Sequence, residues 1–509
     1  MTQETIDRVL TQADEISIAA MNEHALPGLA VGIIQGGRLI YAKGFGLADA
    51  NEGKAVTPDT VFRIGSISKT FTTIGLMQLW EQGRFGLDDP VNDYLKAYRV
   101  QHRDPQAPPV TFRHLMTHTS GIGEFRRVSD LLDFRRLFAL GAKEGEPVPV
   151  LKDYYGGRLT PELYPGEKWA YANHGFATLG QLVEDISGEP FEEYMLEHVI
   201  EPLGMFHTDY LRSERVRDQL AHGYQLKRGK LAPVNYLEIV VRAAGSIFSS
   251  VNEMAKYVAA LLGGGKNEHG AILKPETLRM MMEPHYQVDE RLTAMGLAFW
   301  LEKLDGHRVA WHGGGWAGFT SAMLVAPDDG LGVVMFTNTS TLALFGIASG
   351  LLRRLLDIPN LASSLPRTDI LETPHLWSEL CGFYGPRKGF MTNARIWMIF
   401  GGEAEVFVQG NHLALRSLAG LIRKGITMYP VDAADPLAFQ AVYEKQAISI
   451  AFKRNVAGQI ERLCVDGIGL HTLYKRPKSE SLRFRITAVL GGLASLIVAA
   501  LGWRKLKKG

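Results

Sequence analysis

The chain carries two cysteines, Cys381 and Cys464, in 509 residues, so no disulfide framework holds it together. It has no excess of charge of either sign: 55 basic residues against 54 acidic ones leave a net charge of +1. That balance gives no electrostatic case for a nucleic-acid partner. Several chemical signatures are absent as well. There is no G-x-x-x-x-G-K-[ST] phosphate loop, no H-E-x-x-H zinc helix and no G-x-S-x-G nucleophile elbow. His114 and His118 are four residues apart, but no further ligand pattern joins them, so neither a metal nor a cofactor is expected. The opening residues, Met1-Thr2-Gln3-Glu4-Thr5-Ile6-Asp7, have no basic start and no apolar signal core.

What is present is a 46% hydrophobic chain, long enough for about two to four domains and a large core. Three short elements in it carry chemistry. The first is Ser66-Ile67-Ser68-Lys69, placed before the apolar helical run Ile74, Leu76, Met77, Leu79 and Trp80, with Gly83 as its stop. Residues i and i+3 share a helix face, so the Lys69 amine is predicted to reach the Ser66 hydroxyl. A serine needs a base to become nucleophilic, and a desolvated lysine can serve. The helix N-terminus adds a positive dipole end and a free N–H for an oxyanion. A helix-capping serine beside a solvated lysine is the competing reading.

The second element is Tyr171-Ala172-Asn173, in a loop after the Pro165-Gly166 turn and before a helix. A phenol beside an ammonium can exchange a proton, and an asparagine offers both a donor and an acceptor. A core-edge tyrosine with an Asn cap is the alternative. The third is His312-Gly313-Gly314-Gly315, between β-like runs, where glycines let a backbone approach a substrate and donate to an oxyanion. A plain hairpin turn is the alternative there.

In this order the three elements resemble the S-x-x-K, Y-x-N and K-T-G or H-x-G motifs of the serine β-lactamase and penicillin-binding-protein-like family. Connecting text such as Thr117-His118-Thr119-Ser120-Gly121 and Pro202-Leu203-Gly204-Met205 resembles that family too. The resemblance runs from about the N-terminus to residue 355. It implies that Ser66 is acylated, that Lys69 activates it and that Tyr171 is the partner acid/base. It also implies that the N–H groups of Ser66 and Gly315 hold the oxyanion, and that Asn173, His312, Gly313 and Gly314 contact substrate. His312-Gly313-Gly314 departs from Lys-Thr-Gly: an imidazole replaces a permanent cation and a glycine replaces a hydroxyl. A carboxylate anchor is thereby weakened. The H-x-G form is similar to esterase-like and D-aminopeptidase-like members. A serine hydrolase cutting an ester or amide of a small molecule or peptide is the leading expectation. A β-lactamase, a D,D-carboxypeptidase-type penicillin-binding protein, an acyltransferase and a silent membrane-tethered sensor or scaffold are the alternatives.

The fold implied is α/β (α+β): an antiparallel sheet flanked by helices, with an all-α subdomain. The organisation expected is a hydrolase domain at 1–360, a linker at 361–375, a small β-barrel-like domain at 376–476 and a basic linker with a hydrophobic helix at 477–509. Residues 123–164 read as an insertion roofing the cleft. The barrel segment resembles the lipocalin-like domain appended to some members, and its apolar alternation reads as plain barrel packing before a lipid pocket. Residues 486–503 contain no charge and are flanked by Arg483, Arg485, Arg504 and Lys505, so they are expected to form a single membrane span. A buried or interfacial terminal helix is the other reading. A tail-anchored protein with a cytoplasmic catalytic domain is the simplest placement, its orientation undecided by basic residues on both sides.

Overall fold

The computed structural model describes residues 3–124, 140–143, 146–359, 370–386, 394–443, 446–466 and 469–486. The chain divides into two compact units, one up to Ser364 with Glu444–Gln446, the other formed by the rest from Leu365 onward.

The first unit is organised by an eight-stranded sheet. Its strands are β1 (Gly28–Gln35), β2 (Arg38–Asp49), β3 (Lys54–Ala55), β4 (Ala294–Met295), β5 (Trp300–Leu304), β6 (His307–Trp316), β7 (Phe319–Ala326) and β8 (Leu331–Thr337). They run antiparallel in the order β4-β5-β6-β7-β8-β1-β2-β3. Strand β1 sits between β2 and β8, with Leu29 opposite both Phe45 and Thr337. The five helices that matter here are α1 (Gln3–His24), α2 (Ser68–Glu81), α3 (Asn173–Ser187), α4 (Val251–Leu262) and α5 (Ala343–Leu355).

Side-chain alternation decides the layering. In β1, Leu29, Val31 and Ile33 face one core, while Ala30 and Ile34 face another. In β8, Val333 and Met335 join the first core, and Val334 and Phe336 the second. A strand apolar on both faces must be covered on both. Val9 and Ala13 of α1, with Leu344, Leu351 and Leu355 of α5, close one side. Val251, Met254 and Val258 of α4 close the other, in a core that continues into α2 and α3. Each such valine, leucine or methionine side chain, fully buried, contributes about 1.5–3 kcal/mol. Of the 123–164 insertion, residues 125–139 and 144–145 lie outside the described residues. The rest includes a short helix at Leu151–Tyr155 and a parallel pairing of Arg158–Leu159 with Arg99–Val100.

The second unit holds a closed eight-stranded barrel: β9 (Gly382–Gly385), β10 (Ala404–Gln409), β11 (His412–Ser417), β12 (Ile426–Pro430), β13 (Ala438–Tyr443), β14 (Gln446–Arg454), β15 (Ile460–Val465) and β16 (His471–Arg476). Phe383 of β9 pairs with Arg476 of β16, which closes it. Tyr384, Leu413, Met428, Phe439, Phe452 and Leu473 fill the interior. An internal cavity of about 20 Å³ remains beside Phe400, Leu415 and His471, room for about one water. Among the described residues that cavity is far below the several hundred Å³ of a ligand pocket.

The expected membrane span needs correction. Crossing a bilayer takes about 20 apolar helical residues, and among the described residues no helix is long and apolar enough. Past Ile486, residues 487–503 of that stretch lie outside the described residues. The chain entering it is tied to the barrel unit instead: buried Glu403 accepts hydrogen bonds from Ser481 Oγ and from the N–H groups of Leu482 and Arg483. The single C-terminal span, and the tail-anchored placement built on it, have no support in the structure. Of the expected linker at 361–375, residues 361–369 also lie outside the described residues.

Candidate active site

The site begins where the chain turns into α2. Short strand Phe62–Arg63 leads into a 3₁₀ turn at Gly65–Ile67, and α2 starts at Ser68. Gly65 has φ +53°, a backbone that favours glycine, and a Cβ there would lie 2.9 Å from Gly315 N. The bare α-carbon therefore lets β6 approach within one residue of Ser66. Gly314 makes the same close approach from the other side: its Cβ would lie 1.9 Å from Ile64 O. Ser321 Oγ donates to that carbonyl at 2.7 Å, locking β7 to the turn.

Ser66 is half-buried, and Lys69 behind it is fully buried. Lys69 Nζ lies 2.9 Å from Ser66 Oγ, 2.8 Å from Asn173 Oδ1 and 2.6 Å from the carbonyl of Ala244. It also faces the rings of Tyr171 and Phe176, with centroids at 4.8 and 5.5 Å. Three acceptors match the three N–H groups of an ammonium, and the aromatic faces add cation–π attraction. Buried charge is tolerated only with such partners. Asn173 is the first residue of α3, yet Ala172 holds the cap position and no side chain caps the helix. The Asn173 side chain points to Lys69, so it does not serve as a cap. Tyr171 is buried in the loop before α3, stacked on His118.

In β6 the alternation puts His312 and Gly314 on one face and Gly313 and Gly315 on the other. His312 is 1% exposed, and its Nδ1 lies 2.7 Å from the Gly313 carbonyl. Gly315 is exposed. The part of the third element open to a ligand is thus backbone, and the imidazole is held inside. The next residue, Trp316, covers Arg63, whose guanidinium also lies over Phe248 and Tyr236. Arg63 is 3% exposed and donates to the Leu237 carbonyl at 2.7 Å. Burial pushes its pKa down to about 10. The basic side chains beside Ser66 and Trp316, Lys69 and Arg63, are both enclosed.

Two contributors escaped the sequence reading. Ala244 acts through its carbonyl, which leaves no trace in residue type. His118 drew notice for its spacing to His114, and the structure separates the two. His114 belongs to a capping box with Thr111, while His118 lies against Tyr171. Burial lowers the His114 pKa. Among the described residues, Glu189, Glu197 and His198 are the group close enough to share a cation, and none of them belongs to the Ser66 constellation.

Comparison with known proteins bears on the family and the fold. Residues 6–355 match the Beta-lactamase family model. PbpX of Bacillus subtilis (strain 168) is 28% identical over 251 residues, 48% of this chain and 57% of its own length. The mitochondrial serine beta-lactamase-like protein LACTB of Mus musculus is 26% identical over 406 residues, 63% of this chain and 73% of its own. The chain thus spans less than two thirds of the Bacillus relative. Among solved structures, the octameric penicillin-binding protein homologue from Pyrococcus abyssi covers 92% of this chain and 99% of its own, with TM-score 0.59 and 24% identity. That likeness shows the fold, a β-lactamase/transpeptidase-like α/β unit followed by a β-barrel. With a family match over residues 6–355, the chain belongs to the Beta-lactamase family of serine hydrolases.

Proposed function

We propose that the protein is a serine hydrolase that forms an acyl-enzyme on Ser66 and cleaves an ester or an amide without a carboxylate anchor. The observation that carries this reading is Lys69 Nζ, buried and 2.9 Å from Ser66 Oγ, with two further acceptors around it. In acylation, Lys69 acts as the neutral amine, its lone pair turned to Ser66 Oγ, and takes the Ser66 proton as Oγ bonds to the substrate carbonyl carbon. The ammonium so formed has Asn173 Oδ1 and the Ala244 carbonyl already in place as acceptors, which favours the transfer. The carbonyl oxygen becomes an oxyanion held by the N–H groups of Ser66 and Gly315. Tyr171, beside Lys69, passes the proton to the leaving oxygen or nitrogen as the tetrahedral carbon collapses. Water then attacks the acyl-enzyme, gives up a proton through the same groups and returns Ser66 Oγ as a hydroxyl.

The substrate reading follows from charge. Lys-Thr-Gly is replaced by His312-Gly313-Gly314, and the Arg63 cation behind Trp316 is covered by rings. A lost charge-assisted contact is worth about 1.5–3 kcal/mol, roughly ten- to a hundredfold in specificity. Structural neighbours of the same fold include "EstCE1, a hydrolase with promiscuous acyltransferase activity" and a "Beta-Lactamase/D-Alanine Carboxypeptidase" from Pseudomonas syringae, which supports acyl transfer from esters and amides. The test is intact mass after a fluorophosphonate probe, with kcat/KM for a p-nitrophenyl ester and for nitrocefin. One adduct is expected on the wild type and none on Ser66→Ala, with the ester favoured over nitrocefin by about tenfold or more. Labelling that survives Ser66→Ala, or nitrocefin turnover equal to ester turnover, would refute the proposal.

A further inference from the structure

Tyr171 lies in a loop, where its backbone has no helix or sheet ladder to fix it. One residue supplies that fixing. The carbonyl of His118 accepts the N–H of Ala170 at 2.8 Å, and its Nδ1 accepts the N–H of Ala172 at 3.1 Å. Both chain neighbours of Tyr171 are therefore tied to His118. Between those two bonds the His118 ring stacks on the Tyr171 ring, centroids 4.3 Å apart and planes at 30°. An accepting Nδ1 carries no proton, so the face offered to Tyr171 is that of a neutral imidazole. Trp169 and Phe176 close around the same ring at 5.9 and 5.0 Å. Phe176 in turn faces Lys69 Nζ. His118 reaches all these partners from a backbone at φ +59°, a region that few non-glycine residues occupy. Strain of this kind persists where the surroundings over-determine it, and it clusters at functional sites.

We infer that His118 is a positioning residue for Tyr171, holding the phenol in register with Lys69 and Ser66; the inference rests on the acyl-enzyme reading above. A general acid–base group works only when placed within a few tenths of an ångström of its proton path, and a misplacement of about 1 Å can cost about 10²-fold. The contacts of His118 run to the backbone on either side of Tyr171 and to the Tyr171 ring, so its effect passes through Tyr171.

The experiment is a double-mutant cycle in the full chain, with kcat and KM for an unactivated ester. His118→Asn keeps an acceptor for Ala172 and tolerates the positive φ, but removes the ring. His118→Phe keeps the ring and removes the acceptor. Each should lower kcat by about ten- to a hundredfold with KM nearly unchanged. In a Tyr171→Phe background neither should lower kcat further, because the group being positioned is gone. Equal losses in both backgrounds, or a change confined to KM, would overturn the inference while leaving the acyl-enzyme intact. Undiminished kcat in Tyr171→Phe alone would remove Tyr171 from the mechanism and the inference with it. Should His118→Phe fail to fold, His118→Asn decides the question by the same cycle.

Discussion

Two serines two residues apart carry opposite duties. Ser66 is half-buried beside Lys69 Nζ, whereas Ser68 is fully buried and spent on structure. Its Oγ donates to the Gly65 carbonyl at 2.7 Å and accepts the Ile247 N–H at 3.1 Å. Those bonds tie the 3₁₀ turn to the segment before α4. Removing the hydroxyl leaves a buried N–H without that acceptor, a loss of about 1–3 kcal/mol. Ser68→Ala should therefore lower the free energy of unfolding by that amount and still take one fluorophosphonate adduct. Ser66→Ala should show the reverse, near-normal stability and no adduct. Wild-type stability in Ser68→Ala would mean that the two bonds are not made. The sequence alone showed both hydroxyls near Lys69, and i, i+3 spacing already favoured Ser66. It could not show where Ser68 is bonded, because Ile247 lies 179 residues away in the chain.

At the scale of the element, β6 shows how one strand divides its glycines between packing and access. A Cβ on Gly314 would meet Ile64 O at 1.9 Å and Ser321 Oγ at 2.2 Å, and the first of these is backbone that cannot turn aside. A Cβ on Gly313 would meet nothing nearer than Ser321 O at 3.6 Å. Gly314→Ala should thus push β6 away from the Ser66 turn, costing about 1–3 kcal/mol by overpacking and displacing Gly315. Gly313→Ala should stay near wild type in both thermal stability and labelling rate. Equal behaviour of the two variants would contradict the alternation described for this strand. A glycine-rich strand edge was legible in the sequence; which glycine is obligatory was not, since it depends on Ile64 and Ser321, 257 residues apart. The barrel divides in the same way. Strands β10, β11, β14, β15 and β16 are legible as short β-like runs in the sequence, while β9, β12 and β13 are not. Short runs such as Ile426–Pro430 and Ala438–Tyr443 gain their partners from neighbouring strands and the closure, so periodicity within each run is weak.

At the scale of the whole molecule, the chain is two compact units, and one buried histidine makes the stability of the second depend on pH. His471 of β16 is 1% exposed and lies edge-on to Phe400 in the barrel core. Burial, with a smaller contribution from Arg395, lowers its pKa from 6.5 to about 3. Its folded form therefore stays neutral where the unfolded chain takes up a proton. Between those two values the unfolded state binds more protons, so stability falls as pH falls, by at most about 1.4 kcal/mol per pH unit. Above the unfolded value the histidine contributes no slope. Carboxylates titrate mostly below about pH 5, and in the interval from about pH 7 to pH 5 His471 shares the slope with His114 and His285, whose pKa values burial also lowers. Calorimetry of the full chain across that interval, beside His471→Leu, isolates the buried group. The wild-type barrel transition should move to lower temperature with acid, and the variant's should move less by close to one proton's worth. Identical pH slopes in wild type and His471→Leu would show that His471 is protonated in the folded barrel, and that its enclosure by Phe400 and the neighbouring strands is looser than the structure describes.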